Sequence, residues 1–207
     1  MSESVVYMVG HEFTLDAYGL VPGSTYPERE HNGSVGNFDI EKWKSVLSEA
    51  FRKIIALCKE VYGYQIAYAA SVREALNVVP WSDPIFESVC TDAYIWDAVG
   101  GTAEWAINHF SQMKQYGKPV NSTEWCCKTY KGAANMWLND LDALKKYPYD
   151  EDEQANYIEK YCNMLNEANI TGAFCTQYNT PPWGYGLYNG LKRKKGFYMY
   201  KSYKRSS

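Results

Sequence analysis

"KPVNSTEW", residues 118–125, is the stretch on which the reading of this chain turns. The run opened by Pro119 reads as a buried strand, and it delivers Glu124 into a cluster with Trp125, Cys126 and Cys127. Glutamate is rarely placed at the tip of a buried strand without a partner or a task. A solvated glutamate belongs on a helix face. One beside a tryptophan at a strand end points to chemistry.

Working outward, strand and helix patterns alternate along the whole chain. "SVVYMVG" (4–10) is β-branched and apolar and stops at Gly10-His11-Glu12. A turn-rich stretch follows, "GLVPGSTYPEREHNGSVGN" (19–37), of the length that compact domains reserve for function or leave without order. Asp39 then reads as the N-cap of a helix whose apolar positions are Ile40, Trp43, Val46, Leu47, Ala50, Phe51, Ile54, Ile55, Cys58 and Val61. That spacing of three and four predicts a helix ending near Gly63, with these side chains inward. "YQIAYAAS" (64–71) and "IFESVCTDAYIW" (85–96) read as a second and a third strand, separated by the short helix "VREAL". "TAEWAINHFSQMKQYG" (102–117) is a helix with Ala103, Ala106, Ile107, Phe110 and Met113 inward and His109 toward solvent. After the fourth strand come helical patterns at 131–146 and 152–168, a fifth strand "ITGAFCTQY" (170–178), a Pro-Gly loop "NTPPWGYG" and a last helix.

Alternation of apolar strands with helices implies an α/β fold, a parallel sheet of about five strands covered by helices. Such sheets carry function at the carboxyl ends of their strands. The tips are His11-Glu12, Asp92-Ala93-Tyr94, Glu124-Trp125 and Gln177-Tyr178, with Trp183 just beyond. No core requires two glutamates, an aspartate and this many rings on one face. Two carboxylates ringed by aromatics suit glycosidic-bond cleavage, one protonated to serve the leaving oxygen and one ionised to attack. A separation of about 5 Å would mean retention of configuration, and about 6.5–9.5 Å inversion.

Composition sets the outer bounds. The 207 residues suffice for one domain with a proper core, and 1–207 reads as a single domain. A net charge of -3 argues against nucleic acid as a general partner. The basic run "LKRKKGFYMYKSYKR" (191–205) reads as a solvated helix. No run approaches the ~18 apolar residues of a membrane span, and "MSESVVYMVG" has no basic region ahead of a long apolar stretch, so neither membrane nor signal peptide is expected. The six cysteines, at 58, 90, 126, 127, 162 and 175, show no zinc-like spacing and read as reduced core residues of a cytoplasmic protein. The sequons at Asn32, Asn121 and Asn169 read as accidental. Neither a metal nor a cofactor is expected; His11, Glu12, Asp16 and His31 fit no ligand spacing. Aromatic content is high, at 16% with 19 Tyr and 7 Trp, and ring faces stack well on sugars.

Several of these motifs, in this order, resemble the clan A retaining glycoside hydrolases, (β/α)8-barrel enzymes. "VVYMVGHE" (5–12) looks like their fourth strand, which ends in Asn-Glu, the Glu being the general acid/base. "KPVNSTEW" is similar to the seventh, whose Glu is the nucleophile, and "FESVCTDAYIW" (86–96) to the sixth, where a ring near the tip orients that nucleophile. "KKGFYMYKSY" (194–203) resembles the terminal helix. The resemblance implies Glu12 as acid/base and Glu124 as nucleophile. Asp92 and Tyr94 would orient the pair, and with His11, Trp125, Gln177 and Trp183 would line a carbohydrate site. His11 stands where the family has an Asn that bonds the sugar 2-hydroxyl. It also implies a partial TIM-barrel-like fold, strands four to eight, with nothing matching strands one to three. Five parallel strands cannot close a barrel. A separate polypeptide carrying the missing strands, or self-association, is therefore expected. The alternative reading is a non-catalytic carbohydrate- or partner-binding barrel remnant. An unrelated open-sheet enzyme ranks last, since no GxGxxG, Walker A or GxSxG is present.

Overall fold

The structure, a computed structural model, describes residues 6–11, 40–62, 65–77, 79–93, 95, 101–125, 127–135, 146–170, 184 and 186–203. It is an α/β fold in which strands and helices alternate: β1 (Val6–His11), α1 (Ile40–Tyr62), β2 (Gln65–Ser71), α2 (Val72–Asn77), β3 (Val89–Asp92), α3 (Ala103–Met113), β4 (Val120–Ser122), α4 (Glu151–Ala168), a β5/β6 hairpin (Tyr188–Asn189 and Lys192–Arg193) and α5 (Lys195–Ser202). Contacts divide the chain into two compact units, 1–91 with 116–119, and 92–115 with 120–207.

In the first unit β1 and β2 run parallel, with Val6 opposite Gln65 and His11 opposite Ala69, and an irregularity between Met8 and Gly10. Strand order there is β1-β2-β3. Helix α1 runs as its periodicity predicts, from just after Asp39 to just before Gly63. Its Phe51 is buried against Tyr68 of β2, ring centroids 4.9 Å apart, and against Phe86 at 5.4 Å. Trp81 closes the cluster edge-on to Phe86 and donates its indole N–H to the Ala75 carbonyl at 2.9 Å. The expectation for α1 fails at Val46 and Val61, which are exposed rather than inward.

The third strand is shorter than its apolar run suggests. Residues 81–87 form turns, because Asp83 caps the backbone N–H of Ile85 at 3.0 Å and the Phe86 N–H returns to the Asp83 carbonyl at 3.1 Å. Pro84, beside that aspartate, has no N–H for a ladder. Lys118 then donates to the carbonyls of Trp81 and Asp83, and Arg52 pairs with the Asp83 carboxylate at 2.6 Å. The Val89 N–H donates to the Pro119 carbonyl at 2.9 Å, so the start of β3 meets the residue before β4.

In the second unit, α3 is capped by Thr102, whose hydroxyl accepts from the Trp105 N–H at 3.0 Å. Its buried residues are Ala106, His109, Phe110 and Met113. His109 is therefore a core residue, correcting the solvent-facing expectation; it stacks with Trp105 at 6.2 Å and tilts against Phe110 at 5.6 Å. Helix α4 starts at Asp150, whose carboxylate accepts from the N–H groups of Asp152 and Glu153, and ends at Asn169 in the left-handed conformation, φ 49°. The expected helix at 131–146 is a single 3-10 turn at Ala133–Asn135 within the described residues; 136–145 lie outside them. The last helix is preceded by a two-residue hairpin loop, Gly190-Leu191, with Gly190 at φ 58° where a hairpin turn requires a positive value. The fifth expected strand lies outside the described residues apart from Ile170. Among the described residues, no helix is long and apolar enough to cross a membrane.

Candidate functional site at the strand ends

The candidate site is built where β3 and β4 end, in the second unit. Asp92, the last residue of β3, is buried and its carboxylate accepts a hydrogen bond from the Thr123 hydroxyl at 2.6 Å. Thr123 follows β4 directly, so a charge-assisted bond ties the two strand ends together. Glu124 comes next and is half-buried. It stands between two buried neighbours, Thr123 and Trp125.

Helix α4 holds the turn in place. Tyr157 and Tyr161, one helical turn apart, share the face that meets the strand ends. The Tyr161 hydroxyl donates to the Ala93 carbonyl at 2.7 Å and lies 2.8 Å from the Ser122 hydroxyl. A phenol has one hydrogen, so Ser122 is the donor in the second bond. The Ile95 N–H donates to the Tyr157 hydroxyl at 3.3 Å. Tyr161 thus joins residue 93, next to Asp92, to residue 122, two before Glu124. Burial holds its phenol well above the usual tyrosine range, so it stays protonated.

Trp125 is fully buried, stacked on Tyr161 at 4.4 Å and tilted toward Tyr200 at 6.0 Å. Both of these ring partners are tyrosines of helices, α4 and α5. The Trp125 indole N–H finds no acceptor among the described residues. Sequence reasoning assigned roles at this turn to Asp92, Glu124 and Trp125, and it missed Ser122, Thr123, Tyr157 and Tyr161. The Tyr157/Tyr161 spacing on a helix was visible, but a tyrosine facing a core gives no sign of which backbone it will bond. His11 ends β1, as its motif predicts. Glu12, Tyr94, Gln177 and Trp183 lie outside the described residues.

A second buried polar cluster follows the turn. Gln154 of α4 donates to the Cys127 carbonyl at 2.9 Å, and buried Lys194 donates to the Thr129 hydroxyl at 2.8 Å and the Gly184 carbonyl at 3.2 Å. These bonds fix the segment after Glu124 against α4 and the start of α5. Among the described residues, no group of three or more His, Cys, Asp or Glu could hold a metal ion.

The chain matches no protein-family model and no curated protein. Solved structures are similar to it in fold. A GH113 β-1,4-mannanase, in a complex, aligns at 19% identity and TM-score 0.57 over 77% of this chain and 52% of its own. The GH113 β-mannanase AaManA of Alicyclobacillus acidocaldarius aligns at 15% identity and TM-score 0.53, over 75% and 50%. Bacteroides uniformis β-glucuronidase 2, covalently bound to a cyclophellitol-6-carboxylate aziridine, aligns at 16% and 0.58 over 97% and 24%. The chain thus spans about half the length of the mannanases it matches. At these identities the likeness is one of fold, and the fold it matches is that of the clan A glycoside hydrolases the motifs resemble.

Proposed function

We propose that the chain is a glycoside hydrolase that cleaves a glycosidic bond by a retaining, two-carboxylate mechanism. The observation that carries this reading is Glu124: a half-buried carboxylate at the end of β4, on a turn whose neighbours are fastened to Asp92 and Tyr161. Rigid support of that kind is what a nucleophile needs to meet an anomeric carbon in line. Glu124 attacks, and the glycosidic C–O bond breaks as the ester C–O bond forms. Glu12 gives its proton to the leaving oxygen, then takes one from the water that releases the sugar. Asp92 and Tyr94 orient Glu124, while His11, Gln177 and Trp183 contact the sugar. The fold likeness to mannanases and a glucuronidase supports a carbohydrate substrate. The partial (β/α)8 barrel, of about five strands, is completed by a further polypeptide or by self-association.

The test is covalent trapping with a cyclophellitol-type aziridine. A nucleophilic carboxylate opens the strained ring: the C–N bond breaks, an ester forms, and the amine takes a proton. Peptide mass spectrometry should find the adduct on Glu124, with none in Glu124→Gln. Turnover of an aryl-glycoside panel should fall by at least ~10³-fold in the same variant. If the natural chain is unlabelled, turns over no glycoside and binds no sugar, the reading fails. Sugar binding without turnover would favour the non-catalytic remnant.

A further inference from the structure

The segment that follows Glu124 meets the start of α4 and brings three tyrosines together. The Lys131 N–H donates to the Pro148 carbonyl at 3.0 Å, and the Asp150 N–H to the Thr129 carbonyl at 3.1 Å. These bonds pair Tyr130 antiparallel with Tyr149. Residues directly opposite share a face of such a pair, and so do residues two apart along one chain. Tyr130, Tyr147 and Tyr149 therefore stand on one face. Tyr130 is fully buried, and half-buried Tyr147 stacks on it, ring centroids 5.6 Å apart and planes 26° apart. Among the described residues Tyr147 meets no second ring, and its hydroxyl bonds to no protein group. The Tyr149 hydroxyl donates to Glu151 at 2.7 Å, which fastens the far end of the row.

We propose, on the reading of Glu124 as nucleophile, that Tyr147 backed by Tyr130 is a stacking subsite for a further sugar ring of an oligosaccharide substrate. A flat ring held from behind by a buried one needs little further ordering on binding, and the apolar face of a sugar suits such a surface. The Tyr147 hydroxyl is left to bond that sugar's own hydroxyls. Tyr130 adds a second polar group: its hydroxyl is buried and makes no hydrogen bond among the described residues, an atom that a sugar hydroxyl or a bridging water satisfies. The chain from Glu124 to Tyr130 spans at most ~22 Å, which keeps the platform within a few sugar units of the nucleophile. Gln154 at the Cys127 carbonyl and Lys194 at the Thr129 hydroxyl hold that connection in place. Trp125, the ring expected to stack on a sugar, is fully buried, whereas Tyr147 on the same connection is not.

Calorimetric titration of the full chain carrying Glu124→Gln, which prevents turnover, tests it. The probes are disaccharides and hexasaccharides of the β-1,4-manno, β-1,4-gluco and β-1,3-gluco series. In at least one series the hexasaccharide should bind at least about threefold more tightly than the disaccharide. Tyr147→Leu fills the space against Tyr130 but offers no flat face, and it should abolish that gain. Tyr147→Phe keeps the ring and should keep most of the gain, and thermal melting checks that both variants fold. Equal binding of the two lengths, a gain that Tyr147→Leu leaves intact, or no binding in any series would overturn the proposal. Covalent labelling of Glu124 by the aziridine reads the nucleophile separately. Labelling without a length gain would overturn the subsite alone, and a Tyr147-dependent gain in a chain that is never labelled would count against the hydrolase reading alone.

Discussion

Replacing Tyr161 with Phe removes one oxygen and nothing else from the contacts that join residue 93 to residue 122. That oxygen makes two buried hydrogen bonds, to the Ala93 carbonyl at 2.7 Å and from the Ser122 hydroxyl at 2.8 Å. The ring stays stacked on Trp125. A buried bond contributes about 1 kcal/mol net, but a partner left unmet costs about 1–3 kcal/mol. Ser122 and Ala93 are both fully buried, so neither recovers a bond to water without a rearrangement. The sum is roughly 3 kcal/mol, which in a chain of this size lowers Tm by about 6–12 °C. Urea unfolding followed by tryptophan fluorescence measures the loss directly. A double-mutant cycle with Ser122→Ala should return a coupling of about 1–2 kcal/mol, because the two hydroxyls share one bond. A Tyr161→Phe variant within about 0.5 kcal/mol of the natural chain, or a coupling near zero, would refute the inference that α4 holds the strand ends through this phenol.

Two further outcomes follow from buried groups. Burial depresses the His109 pKa to about 4, below its unfolded value of about 6.5. The folded chain therefore binds fewer protons than the unfolded one between these values. Stability is fully present above pH 6.5 and falls by about 3 kcal/mol as pH drops to 4. His109→Gln should flatten that part of a stability–pH profile from urea midpoints; an unchanged slope would exclude His109 as its source. Gly196 leaves no room for a methyl group: a Cβ would lie 2.7 Å from Gln154 Oε1 and 2.9 Å from Ile158 Cδ1. Gln154 is held at Cys127, so Gly196→Ala should cost about 1–3 kcal/mol, measured by thermal melting, and a neutral result would show that the amide swings aside freely.

The sequence by itself determined the elements whose signals are local. Helix α1 follows from its apolar spacing, α4 from the helical pattern at 152–168, β1 from a β-branched run that stops at Gly10, and β2 from the apolar run at 64–71. The motif order led to the fold later matched by the mannanases. Where one local signal competed with another, the sequence misled. The apolar run at 85–96 hides the Asp83-Pro84 turn, and Asn189-Gly190, a hairpin signal, stands just ahead of the basic stretch at 191–205 that reads as helix. His109 looked solvent-facing because its chain neighbours are polar, but burial depends on what packs across a helix, which periodicity alone does not reveal. The same limit applies at the candidate site. The sequence placed Glu124 at a strand tip beside an aspartate and a tryptophan. Only the tertiary structure decided that Trp125 is buried against Tyr161, and that Tyr161 fastens residue 93 to residue 122. Those partners are 39 and 68 residues from Tyr161, and nothing along the chain marks them until the backbone brings them within reach of one hydroxyl.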